Sequence, residues 1–401
     1  MRRGTTTALV ALIAAVLGGV VALLGAAATG LTDERTSTVY VPTTRSDLRL
    51  GRSEPVVRAT PLGGTGFNPS RIYTARSPGV VTVYAFFDKG EQHESQGSGF
   101  IVSDTGYILT SAHVVTDLVE SSDAKDAQRV FVGFKDRDRV KAKIVGWDAY
   151  DDVALLEVDP AAHRLAPVPL GDSSLVRAGD PVAAMGSPFG NEDSIAVGVV
   201  SAIRRSIDSL TSSFKVVDAI QIDAPITHGN SGGPLFDARG RAIGINAQIR
   251  SESGGAEGVG FAIPINAARR SMGQLAATGR VVYAYLGVTT EDLTPTLARH
   301  LGYPVTRGAI IGDVKRGSPA DQAGLEGGAD EETFNGQNFT TGGDIIVALD
   351  GRPVRSADDV VREVSSRLPG ETVRLVVVRG QSRKTLSAKL GARPDTPDTN
   401  P

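Results

Sequence analysis

The chain has 401 residues and no cysteine. That absence excludes a disulfide framework, cysteine-ligated zinc, a cysteine nucleophile and the cysteine-borne lipid of an exported lipoprotein. Aromatic residues make up only 5% of the sequence while glycine supplies 47 positions, a balance that favours short strands and many turns over helical bundles. Neither sign of charge dominates. With 42 Lys and Arg against 45 Asp and Glu, the net charge of −3 gives no bulk attraction for nucleic acid or an anionic membrane. What is present is ordinary for a globular protein, 41% hydrophobic and 22% charged, on a length that predicts two or three domains.

One long apolar run stands apart. MRRGTTT precedes ALVALIAAVLGGVVALLGAAA, an uncharged segment from Ala8 to Ala28. As a helix at about 1.5 Å per residue it spans roughly one bilayer core. A retained anchor is the favoured reading, with a cleaved signal at Ala26-Ala27-Ala28 as the alternative. Arg2 and Arg3 place the N-terminus in the cytoplasm, so the remainder is expected outside it. Residues 1–29 are therefore read as cytoplasmic stub and transmembrane anchor, and 30–70, rich in Thr, Arg, Pro and Gly, as a flexible linker.

From about Ile72 the pattern changes to closely spaced β-branched runs such as VVTVYAFF, YILTSAHVV, RVFVGF and DVALLEV, continuing to Pro264. Many short strands without intervening helices predict an all-β barrel or sandwich, and INAARRSMGQLAATG predicts a helix that closes it. A second unit starts near Tyr283, with a helix near 356–367 marked by Ser356 as N-cap and Asp359 three residues later. The tail from 392 to 401 is polar and Pro-rich and is expected to be disordered.

Residues 227–236, THGNSGGPLF, crowd Ser231 with glycines. They also fit G-x-S-x-G, but that elbow needs a helix after the serine and a histidine later in its own domain, and only His300 follows. The opposite order fits better: His113 in TSAHVV, Asp152 opening DVALLEV, and Ser231 last, as in chymotrypsin-type double barrels. A serine needs a base within reach and a third group to orient that base. Asp152, flanked by Val153 and Leu155, suits the orienting role, and its neighbour Asp151 is expected to be solvated because adjacent strand residues face opposite ways. Backbone N–H groups of Gly229 and Ser231 can converge on the oxyanion of acyl transfer. Alone, each residue would be structural; joint appearance in order with matching flanks reverses that. His93, His163 and His300 lack such flanks and are expected on the surface, with no motif for a metal.

TSAHVV, DDVALLEVD and DAPITHGNSGGPLF, with the unit that follows, resemble the HtrA (Deg) family of trypsin-like serine proteases over roughly residues 71–391. One anchor, one protease domain and one PDZ domain are most similar to the DegS-like branch. The resemblance implies a mostly β fold, a chymotrypsin-type double β-barrel protease domain over 71–280 and a permuted bacterial PDZ domain over 281–391. It implies His113 as general base, Asp152 as its orienting partner, Ser231 as nucleophile, and a homotrimer that cleaves unfolded or specific tagged envelope proteins in quality control or stress signalling. No cofactor is implied. His228, where many relatives have proline, would lie at a peptide that flips between active and inactive states. A non-catalytic envelope chaperone on a protease fold is the alternative, against which the apparent triad speaks.

Six residues before the serine stands Pro225 rather than an acid, so cleavage after Arg or Lys is not expected. The resemblance implies small aliphatic P1 residues, with Asn246, Ala247 and Phe261 lining the pocket beside Pro225. Tyr285, Leu286, Gly287 and Val288 occupy the place of a PDZ carboxylate loop, where successive N–H groups can bind the C-terminus of a peptide. Relatives often have Gly-Asp soon after Gly-Leu; here EGGADEETFNGQNFTTGG intervenes between Leu325 and Asp344. Its acidic spacing fits no calcium loop, and a solvated loop is expected.

Overall fold

The structure is a computed structural model that describes residues 66–87, 94–117, 125–187, 194–209, 211–212, 215–226, 229–247 and 259–394. The Ala8–Ala28 segment, nearly all of the linker, and His93 and His228 lie outside the described residues, among which no helix is long and apolar enough to cross a membrane. The first described helix, α1 (Pro69–Arg76), starts a little before the expected start of the protease domain and is capped by the Asn68 side chain, which accepts the Arg71 N–H at 3.0 Å.

Two closed six-stranded antiparallel barrels follow. The first is built from β1 (Val80–Phe86), β2 (Glu94–Ile101), β3 (Tyr107–Thr110), β4 (Arg129–Gly133), β5 (Arg139–Asp148) and β6 (Val153–Val158). The second uses β7 (Pro181–Gly186), β8 (Ser194–Asp208), β9 (Lys215–Ile222), β10 (Pro234–Phe236), β11 (Ala242–Ala247) and β12 (Gly260–Pro264). Consecutive apolar pairs explain why strands such as β3 and β6 are hydrophobic on both faces. Ile108 and Leu156 join Val81, Val83 and Ile101 in one cluster of the first barrel. Their neighbours Leu109 and Leu155 join Met185, Phe236 and Ile245 of the second barrel in a shared core. Alternation along a strand sends successive residues to opposite faces, so both faces here are buried. Each such Leu, Ile or Phe, fully removed from water, contributes about 1.5–3 kcal/mol. The helix α3 (Ile265–Thr278) lays Ile265, Ala268 and Leu275 into that core and ends at Gly279, whose φ of 71° allows its N–H to reach Leu275 O at 2.8 Å.

The second unit centres on a sheet ordered β14 (Val288–Leu293), β15 (Gly308–Val314), β18 (Ile345–Leu349), β20 (Thr372–Arg379) and β21 (Ser382–Lys389). Beside it, β13 (Ala284–Tyr285) pairs with β22 (Gly391–Ala392), and β19 (Arg352–Pro353) lies against β18. Two short helices, α4 (Pro295–His300) and α5 (Pro319–Gln322), precede α6 (Ala357–Ser365), which starts where its sequence signal placed it: Ser356 Oγ accepts the Asp359 N–H at 3.3 Å. Val360 and Val364 turn inward onto the sheet.

Two expectations fail here. The 326–343 insertion is not a solvated loop but carries a β-hairpin, β16 (Asp330–Phe334) paired with β17 (Gln337–Thr341). Its turn is Asn335-Gly336, with φ of 51° and 80°, the left-handed pair that a two-residue hairpin connection favours. Phe334 and Phe339 cover a small core of Leu293, Leu297, Ile310 and Ile345, so the hairpin has an apolar reason to stay down. The tail is also ordered further than expected. Ala392 pairs with Ala284, the Arg393 N–H donates to Tyr283 O at 2.9 Å, and Tyr150 Oη donates to Pro394 O at 2.9 Å.

Candidate active site

Strand β3 delivers the chain to a one-turn helix, α2 (Ala112–Val115), that carries His113. Strand β6 pairs with β3 in the register Thr110↔Ala154 and Leu109↔Leu155, which sets Asp152 beside that helix. The pairing of two apolar strands thus brings together residues 39 positions apart in sequence. The Ala112 N–H donates to Asp152 O at 3.3 Å, the His113 N–H donates to Asp152 Oδ1 at 2.9 Å, and His113 Nδ1 lies 2.7 Å from Asp152 Oδ2. A carboxylate only accepts, so Nδ1 carries the ring proton and Nε2 is left as the basic nitrogen. Asp152 is 4% exposed and adopts a φ of 50°. That left-handed backbone costs a non-glycine residue about 1–3 kcal/mol and survives only where its surroundings fix it.

Electrostatics at His113 has opposing parts. Burial pulls the imidazole pKa down, but the charge of Asp152 and its hydrogen bond pull it up and prevail, so it lies above the ordinary 6.5.

Ser231 lies 4% exposed in the turn that leads into β10. Its carbonyl accepts the Ser98 N–H at 2.8 Å, while its Oγ has no hydrogen-bond partner among the described residues. The structure therefore joins His113 to Asp152 and leaves the Ser231 hydroxyl unengaged; such contacts often tighten only when a substrate is bound. The glycines around it answer to close approach. A Cβ on Gly232, which has a φ of 84°, would sit 2.3 Å from Ser98 O, and Gly229 has a φ of 101°.

Sequence reasoning missed Ser98. It is fully buried in β2; its Oγ donates to Gly229 O and accepts the Ser187 N–H at 2.8 Å, and its own carbonyl accepts Thr110 Oγ1 at 2.7 Å. One hydroxyl thereby ties the serine turn to both barrels. The small-residue run Gly97-Ser98-Gly99 was the available signal.

The expected pocket residues divide. Pro225 is exposed at the surface, and Ala247 and Phe261 face one another across β11 and β12 at 5% and 8% exposure. Asn246 does not present its amide to a pocket. The side chain is fully buried, and Nδ2 donates to Met185 O at 3.0 Å and Pro234 O at 3.3 Å, while its main chain brackets Gly232 and Gly233. It holds the serine turn from behind. Asp151 corrects a second expectation: it is half-buried, with Oδ2 2.9 Å from Tyr283 Oη, rather than solvated. It sits before β6 in a turn, where strand alternation does not apply. His163 is likewise not a free surface residue, being stacked on Phe134 with ring centres 3.8 Å apart and bonded to Asp136 at 2.9 Å; His300 is exposed.

In the second unit, Tyr285, Leu286, Gly287 and Val288 join β13 to β14. The carbonyls of Leu286 and Gly287 are held by the N–H groups of Ala320 at 2.9 Å and Lys315 at 3.0 Å. Gly287, with a φ of 86°, lies so close to Ser318 that a Cβ would approach its Cβ to 2.3 Å.

Two barrels holding a His–Asp pair and a buried serine, followed by a small sheet domain, have the architecture of a trypsin-like protease with an appended domain. Family models agree: residues 97–245 match the trypsin-like peptidase domain and residues 284–390 the PDZ domain. Over 307 residues the chain is 40% identical to a protein of Pseudomonas fulva (strain 12-X) described as a probable periplasmic serine endoprotease DegP-like, covering 76% of this chain and 58% of that one. It thus spans less than two thirds of the curated relatives it matches. Among solved structures, the HtrA-type protease AlgW with a tripeptide aligns with a TM-score of 0.67 and 34% identity over 83% of this chain and 99% of that one. A serine endoprotease from Yersinia pestis aligns with a TM-score of 0.57 and 28% identity, covering 82% and 98%. The chain belongs to the HtrA-type serine proteases.

Proposed function

We propose that this chain is a serine endopeptidase in which His113 is the general base, Asp152 orients it, Ser231 is the nucleophile, and the N–H groups of Gly229 and Ser231 form the oxyanion hole. The observation that carries the reading is the double grip of Asp152 on His113, through Nδ1 at 2.7 Å and the main-chain N–H at 2.9 Å. That grip leaves Nε2 basic, as proton abstraction from a serine hydroxyl requires. Ala247 and Phe261 suit a pocket for small aliphatic P1 residues, and Pro225, six residues before the serine, offers no charge to a basic one.

The same reading assigns 1–29 to a membrane anchor, 30–70 to a linker, 71–280 to the protease domain and 281–391 to the PDZ domain. The protease would face the extracytoplasmic side, in keeping with relatives described as periplasmic. Substrates would be unfolded or tagged envelope proteins, cut by a homotrimer. C-terminal peptides bound at the 285–288 segment would shift an active–inactive equilibrium, as the peptide bound to AlgW encourages. Casein digestion by the full chain, compared with Ser231→Ala, tests the chemistry. Loss of the nucleophile should cut the rate by roughly 10⁴-fold or more. Equal activity in the two proteins would refute the assignment.

A further inference from the structure

Three residues beyond the triad form a hydrogen-bonded unit at the turn that leads to Asp152. Asp148, the last residue of β5, is 2% exposed and accepts four donors. Its Oδ2 takes the Ser271 hydroxyl of α3 at 2.6 Å and the Tyr283 hydroxyl at 2.5 Å. Its Oδ1 takes the N–H groups of Tyr150 at 2.9 Å and Asp151 at 3.3 Å, which closes the turn that ends at Asp152. Asp151 Oδ2 lies 2.9 Å from the same Tyr283 oxygen.

Proton counting decides the state of this unit. A phenol has one proton to donate and so serves only one of the two carboxyl groups; the shorter contact, 2.5 Å against 2.9 Å, gives it to Asp148. The Tyr283 oxygen then faces Asp151 as an acceptor, so that contact is a hydrogen bond only when Asp151 is a carboxylic acid and donates. Were Asp151 ionised, two carboxylates would compete for one hydroxyl, and the turn would be pushed apart.

We infer that Tyr283, with Asp148 and Asp151, is a positioning unit for Asp152: it holds the turn that presents the orienting carboxylate, and it holds it only while Asp151 keeps its proton. Tyr283 lies in neither barrel; it precedes β13 of the second unit. The unit therefore ties the seating of that unit, and the tail residue Arg393 bonded to Tyr283 O, to the geometry of the His113–Asp152 pair. The inference rests on the proposed roles of His113 and Asp152.

The surrounding charges allow the switch to work near neutral pH. Burial first, then the nearby Asp148, push the Asp151 carboxyl up to about 7, against the opposing charges of Arg270 on α3 and Arg393. Burial also pushes Asp148 up, against the pull of its hydrogen bonds; with four donors on Asp148 and a single contact at Asp151, we assign the shared proton to Asp151. Asp151 and Tyr283 border a cavity of about 350 Å³. Across it stand Arg362, paired with Asp218, Arg352, paired with Glu363, and the cations Arg204 and Lys215.

The experiment uses the full chain and three variants. Asp151→Asn keeps a donor toward Tyr283 without an ionisation, Tyr283→Phe removes the bridge, and Ser231→Ala reports on the triad. In the wild type, kcat on casein should fall as pH rises through about 7, and Asp151→Asn should abolish that fall. Tyr283→Phe should lower kcat several-fold at pH 6 with KM unchanged. A second readout needs no activity: in a Ser231→Ala background, Tm should decline as pH rises from the ordinary carboxyl range toward about 7, and adding Asp151→Asn should make that decline shallower below the His113 range. An unchanged pH profile in Asp151→Asn, an unflattened Tm slope, or wild-type kcat in Tyr283→Phe would overturn the inference. Undiminished turnover in Ser231→Ala would instead refute the triad reading, and the Tm comparison would still report on the proton.

Discussion

Asp152 holds His113 with both carboxylate oxygens, one on the ring Nδ1 at 2.7 Å and the other on the main-chain N–H at 2.9 Å. A single side chain thereby fixes both the tautomer of the imidazole and the backbone that carries it. Asp152→Asn should keep the fold but present an amide that can turn its NH₂ to Nδ1 and force the wrong tautomer. A kcat loss of about 10⁴-fold is expected, because that is the scale on which a mis-set tautomer acts in this type of site. Turnover measured with circular dichroism on the same preparation checks it, and a loss under tenfold with intact folding would contradict the assignment.

The raised pKa of His113 has a definite sign for activity. The base must be neutral, so kcat/KM should fall on acidification through the imidazole pKa, and the midpoint should lie above 6.5 because Asp152 stabilises the protonated ring more than burial opposes it. The same shift links to stability. The contribution of this group is fully present below pH 6.5 and is lost as pH rises through the folded value. A kcat/KM profile on a soluble peptide between pH 5 and 9 locates the limb; a midpoint below 6.5 would mean that desolvation wins.

Ser98 predicts a separation of rate from binding. Ser98→Ala leaves Gly229 O without its donor in a half-buried setting and the Ser187 N–H without its acceptor in a buried one. Each orphaned group costs about 1–3 kcal/mol. Because Gly229 supplies one of the proposed oxyanion donors, displacement of its peptide should also lower kcat by about tenfold or more, part of the 10²–10³-fold lost when such a donor is removed outright. KM should barely move. Steady-state kinetics and Tm on the full-length variant distinguish this from a purely structural role, in which Tm alone would fall.

The pairing of strands and the glycine turn were legible in the sequence because they answer to local rules. Apolar runs such as YILT and VALLEV have to be strands buried on both faces, and the helix at 357–365 announces its start with Ser356 and Asp359. What escaped depended on long-range contacts or on a rule not applied. Asp151 was expected to be solvated from strand alternation, yet it precedes β6 and meets Tyr283, 132 positions away. The Asn335-Gly336 dipeptide, between Thr333, Phe334 and Phe339, was a readable hairpin signal that the acidic character of its surroundings obscured. The family resemblance implied Asn246 as a pocket residue, but only the packed barrel reveals that carbonyls of Met185 and Pro234 claim its amide.

The insertion leaves the second unit intact because its two ends are clamped together. The Asp344 N–H donates to Glu326 O at 2.9 Å, and the Glu326 N–H donates to Asp344 Oδ2 at 3.1 Å. Asp344 is fully buried and takes Arg379 Nε at 2.6 Å and Nη2 at 2.7 Å, while Arg379 also reaches Gly324 O at 2.7 Å and the Glu326 carboxylate. A buried pair adds little over an apolar substitute, but removing one partner strands the other, at a cost of about 3–5 kcal/mol. Asp344→Ala should therefore destabilise the second unit by that order, whereas Glu326→Ala, which deletes a partner 61% exposed, should cost less than about 1 kcal/mol. Chemical denaturation followed by hydrogen exchange localises the effect: amides of 309–314 and 345–349 should lose protection while those of the barrels keep theirs. Equal costs for the two variants would show that Asp344 is not the clamp.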